Sequence, residues 1–202
     1  PYEDLDRCVR ELKARGFNAV RVGVGMSYAF LLDGRPRGPM EFAPPVPGHA
    51  VNPYYAGHGG RRDVLERLLE LLELARKHGV WIILTSWEYQ DSSCVGDPAV
   101  RSELASVPKE RRFMHLAEQH DRLLAILERK GLADRLAFTE IHNEPEYSDL
   151  PQGVEGRRLH EAAIAFLRAR HPRTLVSADF ASHDFAIVPD NAQVFDQHIY
   201  AG

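Results

Sequence analysis

Apolar residues recur along this chain in two alternating rhythms, one helical and one extended. Over residues 3–15, Leu5, Cys8, Val9 and Leu12 share one helical face, and Gly16 is a stop signal. Asn18 to Val24 reads as a short strand. The segment 25–60 is rich in Gly and Pro and has no helical period. Within it, Leu31 to Arg35 reads as a small hairpin turning at Asp33-Gly34. A loop of that length is more often functional than incidental. Residues 61–78 carry the clearest stripe, through Val64, Leu65, Leu68, Leu69, Leu72 and Ala75, closed by Gly79. Val80 to Thr85 is a near-continuous apolar run, as in a strand buried on both faces. Residues 87–108 read as a polar loop, and 109–130 as a helix through Phe113, Leu116, Ala117, Leu123, Leu124 and Leu127. A strand over 136–141, a helix over 155–170 stopped by Pro172, and strands over 174–178 and 193–198 complete the pattern.

The repeating unit is helix, stop, short strand, long loop. Such alternation predicts a parallel sheet with helices outside it. Right-handed crossovers leave two architectures, an open doubly wound sheet or a (β/α) barrel. The long segments follow strands and the returns from helix to strand are short, as in a barrel whose active face is built from strand C-termini. Gly23-Val-Gly25 is not followed directly by a helical pattern, so the dinucleotide fingerprint fails. The expected fold class is α/β, a (β/α)8 TIM barrel, with residues 1–202 forming one partial barrel domain.

Composition narrows the functions. With 25 Lys+Arg against 29 Asp+Glu the net charge is −4, which gives no electrostatic footprint for nucleic acid or an anionic membrane. No apolar run reaches the roughly 18 residues of a transmembrane helix. Two cysteines exclude a disulfide scaffold; Cys8 falls on an apolar helix face and Cys94 has no activating neighbour. Ten histidines invite a metal reading, but no ligand spacing is present, and His115 and His120 are five apart, a poor match to one helical face. His49, His58 and His183 lie in loops. No Gly-x-Ser-x-Gly elbow occurs. Neither a metal nor a cofactor is expected.

The sharpest chemistry is Ile141-His142-Asn143-Glu144-Pro145, directly after an apolar strand. Partial desolvation there would raise the pKa of Glu144 toward neutrality and let it donate a proton. Asn143 offers an amide suited to a sugar hydroxyl. A solvated loop carboxylate is the ordinary reading of an isolated Asn-Glu-Pro; the strand end is what favours function. Arg21 inside an apolar strand needs a carboxylate or carbonyl partner. Glu140 shares parity with Glu144 and reads as a structural acid lining the lower interior. Asp179 closes a strand, where it would serve either loop backbone or the site. Trp87 and Tyr89 form either a stacking platform or an anchor for their loop. His142 and His198 stand at strand ends and are expected to face the same mouth.

These residues resemble clan A glycoside hydrolases, the group that includes the family 5 cellulases. In that clan Asn-Glu-Pro closes the fourth barrel strand, so the resemblance implies that Glu144 is the general acid/base and that Asn143 contacts the sugar 2-hydroxyl. Gly16 to Arg21 resembles the second strand, whose Arg lies close to the nucleophile, and His198-Ile199-Tyr200 resembles the His-x-Tyr of the sixth. Trp81 to Gln90 would be the third; Ser86-Trp87 stands where many cellulases have a His, which is closer to a bacterial cellulase-like sugar-binding group.

The resemblance implies a retaining glycosidase acting on a β-linked glycoside or polysaccharide. Arg21, Trp87, His142, His198 and Tyr200 would support the substrate or the nucleophile. The nucleophile is expected on a seventh strand beyond residue 202; Glu88, Glu140 and Asp179 do not match its position. By this count the first strand and the units after the sixth are absent. A full barrel takes about 250 residues, and an isolated part would leave strand edges open. The alternatives are a non-catalytic carbohydrate-binding barrel and a metal-dependent barrel hydrolase.

Overall fold

A computed structural model of the chain describes residues 4–42, 60–90, 97–181 and 185–198. Five strands form one parallel sheet: β1 (Ala19–Val24), β4 (Trp81–Ser86), β5 (Leu136–Glu140), β6 (Val176–Phe180) and β7 (Val194–Gln197). Their order in the sheet is β1-β4-β5-β6-β7, the order of the sequence. Each crossover therefore moves one way, as in a barrel wall; a doubly wound sheet would reverse direction. The crossover helices are α3 (Val64–His78), α5 (Arg112–Arg129) and α6 (Gly153–Arg170), with α1 (Leu5–Ala14) before β1. Helix α1 packs on α3, and α5 packs on α6.

The helices begin and end where local chemistry dictates. Asp63 caps α3 by accepting the Glu66 N–H at 3.0 Å, and Gly79 closes it in the left-handed conformation at φ 65°. Its stripe buries Leu65, Leu68, Leu72 and Ala75 against the sheet. Each buried leucine contributes about 2 kcal/mol by removal of apolar surface from water. Helix α5 does the same with Phe113, Leu116, Leu123, Leu124 and Leu127.

Four sequence readings change. Segment 25–60 is not uniformly irregular. It contains the single-turn α2 (Met26–Ala29), and β2 (Met40–Phe42) pairs antiparallel with β3 (Gly60–Arg62). The predicted start of α3 at 61 falls in that ribbon. The polar stretch 87–108 contains α4 (Pro98–Ser106), capped by Asp97 with Pro98 in its first turn. The helix expected from 109 starts with a 3₁₀ turn at Lys109–Arg111. The Asp33-Gly34 hairpin is present: Leu31 N–H bonds Arg35 O at 2.9 Å, Gly34 has φ 88°, and Phe30 bridges Pro36. Readings that concern His49, His58, Cys94, His183, Ile199 and Tyr200 lie outside the described residues.

Alternation along the strands separates two environments. On the helix side, Thr139 Oγ1 meets His120 Nδ1 at 2.9 Å, and His160 lies between Phe113 and Phe180. On the opposite face, which is the interior of a barrel, Arg21, Glu140, Asp179 and Asp196 converge. Among the described residues no helix is long and apolar enough to cross a membrane.

Candidate active site

Arg21 projects from β1 into a cluster of acids. Its Nε donates to Glu140 Oε2 at 2.8 Å, its Nη2 lies 2.5 Å from Asp179 Oδ2, and Asp196 Oδ2 is 4.0 Å away. The Glu140 and Asp179 side chains are fully buried. Asp179 and Asp196 are register partners on adjacent strands, which explains their proximity. One guanidinium faces three carboxylates. Burial pushes Glu140 up to about 7, although Arg21 opposes the shift. Burial also pushes Asp179 up to about 7, with Asp196 adding like-charge repulsion. Glu140 and Asp179 are thus both held above the ordinary carboxylate range. Asp179, Asp196 and His198 are close enough to share a cation, but Arg21 already supplies positive charge to both acids.

Above the cluster stands Glu144. Its backbone is left-handed, at φ 42° and ψ 63°, unlike that of any other non-glycine residue among those described. Pro145 follows, and a residue before proline prefers extended backbone. A left-handed non-glycine residue costs roughly 1–2 kcal/mol, so neighbours must hold it. The Glu144 N–H donates to Asp179 Oδ2 at 3.3 Å, and the carboxylate meets His198 Nδ1 at 2.5 Å. His198 Nε2 lies 3.1 Å from Asp179 Oδ1. The imidazole thus lies between two carboxylates. Only the Glu144 contact has hydrogen-bond geometry; Asp179 Oδ1 has no hydrogen-bond partner among the described residues and meets the ring by proximity.

Gln90, beyond the end of β4, fixes the approach to Glu144. Its Nε2 donates to Asn143 O at 2.9 Å and to Glu144 O at 3.3 Å, and its Oε1 accepts from Asn143 Nδ2 at 3.2 Å. Asn143 is buried, and its Oδ1 has no hydrogen-bond partner among the described residues. Ser86 Oγ donates to Ile141 O and the Asn143 N–H bonds Ser86 O, which ties β4 to the same bend.

Of the residues singled out from sequence, Arg21, Glu144 and His198 come together, joined by Glu140 and Asp179. The structure does not bring His142 to the mouth. It is 1% exposed, its Nε2 accepts the Tyr89 N–H at 3.2 Å, and burial drives its pKa down to about 3. Strand β5 ends at Glu140, and alternation stops applying at the bend that follows. Trp87 is half-buried with its ring over Gly23, while Tyr89 is buried beneath the Arg112 guanidinium at 4.8 Å and anchors its loop. Asp196 and Gln90 were missed. Asp196 shares strand parity with His198, and that was the available signal. Gln90 carried none.

No family model matches the chain, and no curated protein matches it. Solved structures do. One from Parabacteroides distasonis, provisionally described as a glycoside hydrolase, superposes with a TM-score of 0.71 at 19% identity over 98% of this chain and 52% of its own. A hyperthermophilic endo-β-1,4-glucanase solved with substrate gives 0.59 at 17% identity, over 96% of this chain and 52% of its own. A family 5 glycoside hydrolase of Prevotella bryantii gives 0.55 at 16%, over 96% and 54%. The chain spans about half the length of these proteins. Its fold is the corresponding part of the (β/α) barrel that these proteins share.

Proposed function

We propose that the complete protein is a retaining glycoside hydrolase acting on a β-linked glycoside or polysaccharide, with Glu144 as general acid/base. The observation that carries this reading is the placement of Glu144. It is held in a left-handed backbone at a strand C-terminus, bonded to His198 through its carboxylate and to Asp179 through its N–H. Backbone strain of this kind gathers at active sites and persists only where surroundings enforce it.

In the proposed reaction, Glu144 protonates the leaving oxygen while a second carboxylate attacks the anomeric carbon. Glu144 then deprotonates the water that releases the sugar. Retention needs the two carboxyl groups about 5–5.5 Å apart. The second carboxylate is proposed to be a seventh-strand Glu outside these 202 residues. Asn143 orients the 2-hydroxyl, a role supported by its Oδ1, which has no hydrogen-bond partner among the described residues. Arg21 and His198 hold the charge around the site, and Trp87 stacks on a sugar ring. A role for Tyr200 beside the nucleophile rests on the sequence resemblance. No cofactor enters these steps, and both catalytic groups are carboxylates.

The decisive variant is Glu144→Gln in the complete protein. Turnover of a panel of aryl β-glycosides should fall at least ~100-fold, the lower range for loss of a general acid. Full activity in that variant would overturn the assignment. One observation favours a carbohydrate-binding barrel without catalysis: Arg21 is already engaged by Glu140, Asp179 and Asp196. That reading predicts oligosaccharide binding with no turnover in the unmodified protein.

A further inference from the structure

Glu88 is a buried acid that the proposed reaction does not use. It follows β4 and is 4% exposed. Its Oε2 accepts the Trp87 N–H at 2.8 Å and its Oε1 accepts the Ser27 N–H at 3.2 Å. Ser27 belongs to α2, directly after β1. One carboxylate therefore clamps the backbone after β4 to the backbone after β1. Burial pushes it up to about 7 in spite of these bonds, so its burial is costly and its two acceptors are in use.

The side chain between those strand ends is Trp87. A Cβ on Gly23 would lie 3.0 Å from Trp87 Cε3 and 3.4 Å from Cζ3, so the ring rests directly on the β1 backbone. Gly23 shares strand parity with Arg21, so the ring lies over the interior face that carries the Arg21 cluster. Gly23 is in an ordinary strand conformation, and its requirement is space for the indole.

We propose that Glu88 and Gly23 are positioning residues that set the Trp87 indole as a stacking platform for the apolar face of a pyranose ring, at a subsite beside Glu144. The proposal rests on the carbohydrate reading above and deepens it. Glu88 fixes where the Trp87 backbone sits, and Gly23 fixes how closely the ring lies on the barrel wall. Two carboxylate oxygens accepting two amides is a job glutamine does badly. Its amide has one acceptor oxygen, and its NH₂ would face the other N–H.

The test uses the complete protein with Glu144→Gln, so that bound sugar is not consumed. Binding of β-1,4-linked glucotetraose and mannotetraose is measured by calorimetry for four forms: this background, and the background with E88Q, G23A or W87A added. A combined E88Q and W87A form closes a double-mutant cycle. Each single change should weaken the better-bound tetraose about ten-fold, the scale of one lost aromatic contact. Adding E88Q to W87A should cost less than two-fold more, because both act through the same ring. In the active protein, E88Q and G23A should raise KM more than they lower kcat. G23A leaves the Glu88 clamp chemically intact, so it decides the matter if E88Q folds poorly. If W87A weakens binding while E88Q and G23A do not, or if E88Q and W87A are additive, the positioning role is overturned. If the tetraoses bind every form equally, the platform falls and the acid/base reading stands. If neither tetraose binds and aryl glycosides are not turned over, the carbohydrate reading itself fails.

Discussion

Replacing Arg21 with methionine removes the only Arg or Lys within 4.0 Å of either Glu140 or Asp179 among the described ion pairs. Both acids have fully buried side chains. Removing one partner of a buried ion pair costs about 3–5 kcal/mol when the other charge stays behind. Here the acids can escape by binding protons. They already sit up at about 7 with Arg21 present, and without it they rise further. The sign follows from the raised folded pKa. Between the unfolded values of 3.8 and 4.5 and about 7, the folded state binds more protons than the unfolded state. Stability from these groups is therefore full below about 4 and is lost as pH rises through 7. In R21M the loss continues to higher pH, so the gap between the two proteins should widen with pH. Each extra retained proton adds about 1.4 kcal/mol per pH unit. The expected penalty is under about 1 kcal/mol at pH 5 and about 3–5 kcal/mol at pH 8. Urea unfolding of the complete protein and R21M at pH 5, 6, 7 and 8 measures it. A penalty independent of pH, or one below about 1 kcal/mol at pH 8, would refute the account of the cluster.

Other consequences are as direct. Glu144→Gly and Glu144→Ala both delete the carboxylate, but only glycine is at ease at φ 42°; thermal melts should show the glycine form more stable by about 1 kcal/mol, and equal melts would remove the strain argument. His160 is buried, stacked on Phe113 at 4.6 Å, and burial drives its pKa down to about 3. Its folded pKa is depressed, so the unfolded chain takes the proton first, and stability falls as pH drops from 6.5 toward 3. His160→Leu should flatten that fall by about 1.4 kcal/mol per pH unit; an unchanged acid limb in chemical denaturation would count against it.

The long helices were legible because each shows several apolar residues on one face, and Gly79 and Gly131 mark their ends. Helix α4 was not, since only Val100 and Leu104 anchor it to the core. The Asp97-Pro98 start was in the sequence but had little periodicity behind it. The β2–β3 ribbon joins two three-residue runs across a long connection, and Glu41, Arg61 and Arg62 give it no apolar signature. In the site, Arg21 stood out as a charge in an apolar strand. Its partners did not, because Glu140 and Asp179 lie 119 and 158 residues away and only the closing sheet brings them near. His142 misled because a position at a strand end implied the mouth, whereas the chain bends directly after β5 and buries the ring.

Gln90 sets a boundary on how modular this barrel is. Barrel enzymes diversify by exchanging the segments at strand C-termini, and the segment after β4 looks like a unit to exchange. Gln90 belongs to it, yet its three bonds reach across to Asn143 and Glu144. A transplant that replaced this segment without preserving Gln90 would alter the aim of the neighbouring strand's acid along with the shape of the cleft. On the proposed function, recognition and proton transfer would be inherited together in this protein.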